Sequence, residues 1–145
     1  MSGFPLGVAR RALDELAQLA PTKRRGTSTV PIADNSKVQY DIGGADAALL
    51  AARALLLDVL GDAWTTVTSG AALSSEQATR IALAGQRTMN VAVTAVDQAF
   101  AVAGASAVYT SHPLQRCVRD IHTANQHIAF GGQSFSAHGH ALLTH

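Results

Sequence analysis

Eight apolar residues, Val38, Ile42, Ala45, Leu49, Ala52, Leu56, Val59 and Ala63, follow one another at alternating steps of four and three. A helix with about 3.6 residues per turn gathers all eight into one seam. An extended strand would throw them onto both faces. This pattern predicts a long helix, capped by Asp34 or Ser36 through their side-chain oxygens and running to about Thr68, where β-branched residues and Gly70 weaken it. A seam of that length needs other helices to cover it.

The rest of the chain supplies them. Val8, Ala12, Leu16 and Leu19 mark a first helix over residues 4–20, which Pro21 ends. Ser74 and Gln77 have the spacing of a capping box, which opens a third helix. Its seam, Ala78, Ala82, Gly85, Met89, Ala92, Val96, Ala99 and Ala103, is built of small side chains that allow close approach, and Gly104 suits its C-terminus. Pro113 fits the first turn of a fourth helix over 113–130, stopped by Gly131-Gly132, and residues 136–143 form a short further helix. Hydrophobic residues make up 48% of the sequence but aromatics only 5%, which favours tight helix packing over a sheet. The expected fold is all-α: one domain over residues 1–145, an antiparallel up-down four-helix bundle with a short C-terminal helix.

Charge excludes some functions. The formal net charge is +1 and the basic residues are dispersed, so the footprint of a nucleic-acid binder is missing. The one cluster, Lys23-Arg24-Arg25, reads as a solvated linker. Residues 45–60 are greasy but interrupted by Asp46, Arg53 and Asp58, which argues against a membrane span. The first residues lack the features of a signal peptide. The lone Cys117 can form no internal disulfide and is expected as a core thiol in a reducing, cytoplasmic setting.

Candidate chemistry concentrates on the fourth helix. Leu114, Cys117, Ile121, Ala124 and Ile128 would share one face, and Arg116, Asp120, Thr123 and His127 a neighbouring polar stripe. Gln115, Arg119, His122 and Gln126 form a third strip. His122 and His127 would point about 140° apart, which forbids chelation of one metal from a single helix. His138 and His140 lack matched carboxylate or thiol ligands, so no metal site is expected.

Several segments carry a resemblance. Residues 104–109 (GASAVY), 113–116 (PLQR), 119–122 (RDIH) and 126–129 (QHIA), with 6–14 (LGVARRALD), 38–43 (VQYDIG) and 51–56 (AARALL) earlier, are similar to the C-terminal domain of the acyl-CoA dehydrogenase-like flavin-dependent monooxygenases. The resemblance implies a four-helix bundle packed against its copies at the centre of a tetramer, and FAD or FMN as cofactor. It implies a catalytic role for His127, placed to hydrogen-bond the reacting flavin or to move a proton to and from a phenolic or similar substrate. Arg119 and Asp120 match a family pair in which the arginine holds cofactor or subunit contacts and the aspartate orients it. Arg116 and Gln115 belong to the same cleft.

Two departures bound that expectation. Classical acyl-CoA dehydrogenases often carry a glutamate base in this domain, yet no Glu follows Glu76 and no Asp follows Asp120. The family's N-terminal helical and middle β domains do not precede Met1, so the bundle alone is expected not to complete a flavin site. A chain supplying those domains, or a flavin reductase, is the expected partner. A non-catalytic helical oligomerisation module and a fragment of a classical acyl-CoA dehydrogenase are the alternatives.

Overall fold

A computed structural model describes residues 3–144. Five α-helices follow in order: α1 (Gly3–Leu19), α2 (Ser36–Thr68), α3 (Ser75–Ala103), α4 (Pro113–Asn125) and α5 (Gln133–Leu143). Short 3-10 turns at Ile32–Asp34, Gly104–Ala107 and Ile128–Phe130 join them. No strand occurs among the described residues, only an isolated bridge between Arg24 and Pro31. The helical bundle is as expected from the sequence.

Local chemistry explains where most helices start and stop. Asn35, between the two expected candidates, caps α2: its Oδ1 accepts the N–H groups of Lys37 at 3.0 Å and Val38 at 3.1 Å. Ser74 and Gln77 form the capping box in both directions, each bond 3.1 Å. Gly104, at φ +60°, ends α3 in a conformation that side chains disfavour.

Helix α3 is the hub. It packs along α2 on one side and along α1 and α4 on others, while α1 meets α2 less extensively, through Leu6 and an Arg10–Asp46 ion pair. The predicted seam of α2 is buried except for Ile42, which is half-buried. One core joins α1, α2, α3 and α4 through Ala12, Leu16, Leu49, Met89, Val96, Leu114 and Ile121; a smaller one is formed by Leu56, Val59 and Ala84. Full burial of a side chain the size of Met89, Leu114 or Ile121 contributes about 1.5–3 kcal/mol each. Gln77 donates to Asp62 at 2.9 Å and Arg80 pairs with Asp58 at 3.2 Å. The contacts thus step in opposite directions along α2 and α3, as in an antiparallel hairpin.

The basic linker is not simply solvated. Lys23 Nζ donates to Ser106 Oγ at 2.6 Å, and Arg25 Nη2 donates to the carbonyls of Ala101 and Val102 at 3.3 and 3.2 Å. A cation here satisfies carbonyls near the C-terminus of α3 and meets the negative end of its dipole. Arg24 closes the loop on itself through Thr29, at 2.9 Å. The cluster works as a strap from the α1–α2 connection to the far end of α3.

Beyond its buried seam, α2 carries a second one. Leu50, Leu57 and Trp64 repeat at sevens, as do Arg53, Leu60 and Val67, and all six are exposed. That is the a/d pattern of a helix able to pack on another helix. With Leu6 and Gly7 of α1, part of this face lines an open groove of about 810 Å³. No helix among the described residues is long and apolar enough to cross a membrane.

Candidate functional site

Helix α4 begins at Pro113, whose missing N–H suits the first turn, and His112 caps it by accepting the N–H of Leu114 on Nδ1 at 3.2 Å. Leu114, Cys117 and Ile121 are buried in the core. That orientation divides the polar residues between two flanks. Arg116 and Asp120, one turn apart, pair at 3.4 Å and face α1, where they border a cavity of about 270 Å³ with Phe4, Val8, Arg11 and Cys117. His122 takes the opposite flank, its Nε2 2.8 Å from Asp97 Oδ1 on α3.

Asp120 therefore does not orient Arg119. Consecutive helical residues diverge by about 100°, so the aspartate meets the residue four before it instead. Arg119 is exposed and makes no hydrogen bond or ion pair among the described residues. The Arg116–Asp120 pair is itself largely solvated and contributes at most about 1 kcal/mol. Burial pushes the Cys117 thiol above its usual value; Arg11 draws it back, and the carboxylates of Glu15 and Asp120 raise it further.

His127 is not on the helix. Helix α4 stops at Asn125, five residues short of the expected end, and His127 has extended backbone angles, φ −68° and ψ 135°. Its own ring explains the break: Nδ1 accepts the N–H of Ala129 at 3.2 Å, capping the turn Ile128–Phe130. A side chain that satisfies a nearby N–H in this way competes with the helical ladder. The expected stripe of Arg116, Asp120, Thr123 and His127 is therefore cut before its last member. Ile128, expected on the apolar face, is 83% exposed.

The break gives His127 a defined chemistry. With Nδ1 accepting, the neutral ring carries its proton on Nε2, a donor on an exposed side chain. The ring also stands edge-on to Phe130, centroids 6.2 Å apart, and Phe130 is partly buried against the core. Neither His127 nor Arg119 is bonded to the Arg116–Asp120 pair. Sequence reasoning missed Gln86: it is 3% exposed on α3, and its Oε1 accepts the N–H of Gly132 at 3.1 Å, just beyond the His127 turn. The available signal was a pair of amides one turn apart, Gln86 and Asn90, within the small-residue run of the third helix. His138 lines a separate groove with Glu76 and Arg80. Among the described residues no group of three or more His, Cys, Asp or Glu could hold a metal ion.

An all-helical bundle around one long central helix is a fold shared with solved structures. The 3-HSA hydroxylase from Rhodococcus sp. RHA1 superposes with a TM-score of 0.82 at 22% identity, over 96% of this chain and 35% of that one. XiaF from Streptomyces sp., solved in complex with FADH2 and glycerol, gives 0.82 at 23% identity, over 94% and 37%. The chain belongs to the family described as acyl-CoA dehydrogenase, C-terminal domain, whose model matches residues 1–131. It is 31% identical over 139 residues to indole-3-acetate monooxygenase of Pseudomonas putida, a match covering 96% of this chain and 36% of that protein. The Acinetobacter baumannii protein of the same name is 31% identical over 126 residues, 87% of this chain and 32% of the relative. The chain thus spans about a third of these relatives.

Proposed function

We propose that this chain serves as the C-terminal helical domain of a flavin-dependent monooxygenase hydroxylating an aromatic or similar small substrate, and that N-terminal and β domains complete the site. The observation that carries this reading is the match to indole-3-acetate monooxygenases along nearly the whole chain, 96% in one case. The only carboxylates after Glu76 are Asp97 and Asp120, engaged by His122 and Arg116, which speaks against a dehydrogenase base in this domain.

The residues present suit a flavin, FAD or FMN. Its ring edge offers nitrogen and carbonyl acceptors and its phosphates are anionic, so the His127 Nε2–H donor and the exposed Arg119 complement it. When bound and reduced, the flavin supplies the electrons that activate dioxygen. In this reading His127 holds or moves a proton at Nε2, Arg119 and Arg116 bind anionic parts of the cofactor or a neighbouring subunit, and Asp120 steadies Arg116. A flavin reductase fits as a partner. A cytoplasmic setting goes with it, because a continuing supply of reduced flavin requires reducing conditions.

A homo-oligomer, in particular a tetramer, accompanies this proposal. The second seam of α2 supports it, since an exposed face that is apolar apart from Arg53 marks an association surface. The same face favours the alternative of an assembly module without chemistry. A chimera separates the two: this chain replaces the matching region of the Pseudomonas putida enzyme. Substrate-dependent oxygen consumption is expected, falling about 10²-fold or more in His127→Ala. Unchanged turnover in that variant removes His127 from the mechanism. A chimera that assembles and binds flavin but never consumes oxygen favours the assembly module.

A further inference from the structure

We propose that Gln86 is the positioning residue for His127: its side-chain amide ties the turn carrying the histidine to the central helix of the bundle. The claim rests on the reading of His127 as a flavin-site residue. Residues 126–132 leave the end of α4 and are bonded mostly to themselves; Phe130 N–H donates to the His127 carbonyl at 2.8 Å and Gly131 N–H to that of Ile128 at 3.2 Å. Among the described residues, the Gly132 N–H to Gln86 Oε1 bond is the one hydrogen bond joining this segment to α3.

The amide would be a poor choice if packing were all it did. Burying one without partners costs about 1–3 kcal/mol, and an apolar side chain of similar shape would suit the site better. Both ends of Gln86 are used. Oε1 accepts from Gly132, and Nε2 donates to Asn90 Oδ1 at 2.8 Å, one turn along α3. Gly132 N–H can only donate, so the oxygen must face it and the nitrogen must turn to Asn90; the orientation is dictated rather than chosen. Gly132 stands at φ +80°, where the chain reverses into α5. Fixing that residue fixes the C-terminal end of the turn whose first residue is capped by His127. The ring's tautomer and its edge contact with Phe130 follow from that turn.

The test needs no flavin at first. In the chain with ¹⁵N-labelled histidine, ring shifts should report an unprotonated Nδ1 and a protonated Nε2 for His127, with slow exchange of the Gly132 amide. Gln86→Met keeps the volume and removes both bonds; exchange at Gly132 should rise about five- to tenfold, as losing one net hydrogen bond implies. The His127 shifts should move toward a mixture of tautomers. Gln86→Leu, which also removes the oxygen that Gly132 N–H bonds, should act in the same direction and covers the case in which Gln86→Met does not fold. Unchanged His127 shifts in whichever variant folds overturn the proposal.

Turnover in the chimera supplies the second arm. Gln86→Met should lower kcat by about ten- to a hundredfold with KM nearly constant, the size expected from misplacing a reacting group by about 1 Å. In the His127→Ala background it should do nothing further, and additive losses overturn the proposal. If His127→Ala alone is without effect, the flavin-site reading fails while the ring shifts still decide whether Gln86 holds the turn.

Discussion

In the proposed homo-oligomer, replacing Trp64 by aspartate should separate the subunits without unfolding them. Trp64 is the only tryptophan, lies in the outer seam of α2 and is 71% exposed. A tryptophan of about 250 Å² therefore offers about 180 Å² for burial against a second copy, worth about 4 kcal/mol at ~25 cal/mol/Å². Ordering the ring and docking two bodies reduce that figure, leaving about 2–3 kcal/mol, the range of an interface hot spot. At 1.4 kcal/mol per tenfold, Trp64→Asp should weaken association about 30- to 140-fold, and a desolvated carboxylate in the seam adds to the loss. Sedimentation equilibrium over a concentration series measures the constant, and the lone tryptophan reports it independently through a blue shift of wild-type emission on association. Thermal unfolding at low concentration should move little, because an exposed side chain contributes about 0.5 kcal/mol or less to the monomer. Equal association constants for the two proteins, with solvent-like emission at every concentration, would refute the assignment of the seam.

Two further outcomes test the core and the break in α4. Ile121→Ala should cost about 3 kcal/mol, roughly 9 °C in Tm, while Ile128→Ala should stay within about 0.5 kcal/mol; comparable losses would mean that the helix continues to Phe130. The raised Cys117 pKa gives the pH dependence: the unfolded chain releases this proton first as pH rises, so the associated stability is complete below about pH 8.5 and is lost as pH climbs through the folded value. Urea midpoints between pH 7 and 10 should therefore fall more steeply for the wild type than for Cys117→Ala, and parallel curves would contradict the burial argument.

What the sequence disclosed follows from the range of the interactions involved. The α2 seam, the Ser74–Gln77 box, the Gly104 terminus and Pro113 are local signals, complete within one or two helical turns, and each is found where the pattern puts it. The strap from Lys23 and Arg25 joins residues 76 to 83 positions apart, which no local pattern encodes. The end of α4 was hidden for a related reason. No Pro or Gly stands between Pro113 and Gly131, and apolar periodicity carries on through Ile128, yet the His127 ring ends the helix sooner and Gly132 bonds to Gln86, 46 residues away. The outer α2 seam was legible at heptad spacing, but a helix apolar on two sides has only one side covered within this chain, so the periodicity of the first seam masked the second.

The early end of α4 changes what the histidine can do. On a continuous helix, His127 would have shared a flank with Arg116 and Asp120, and its ring would have been open to the same ion-pair exchange that engages both of them. Outside the helix, one nitrogen is committed to backbone and the other is left as a single donor. For the proton-transfer role proposed above that restriction is an advantage, since one tautomer is present before any ligand arrives and no reorientation enters the barrier. The cost is that the turn has few contacts of its own, and a mobile turn would cancel the advantage. Hence a buried amide on the most heavily packed helix of the bundle is the natural place for its anchor: α3 is held on three sides by α1, α2 and α4, so the tether ends on the part of the protein least free to move.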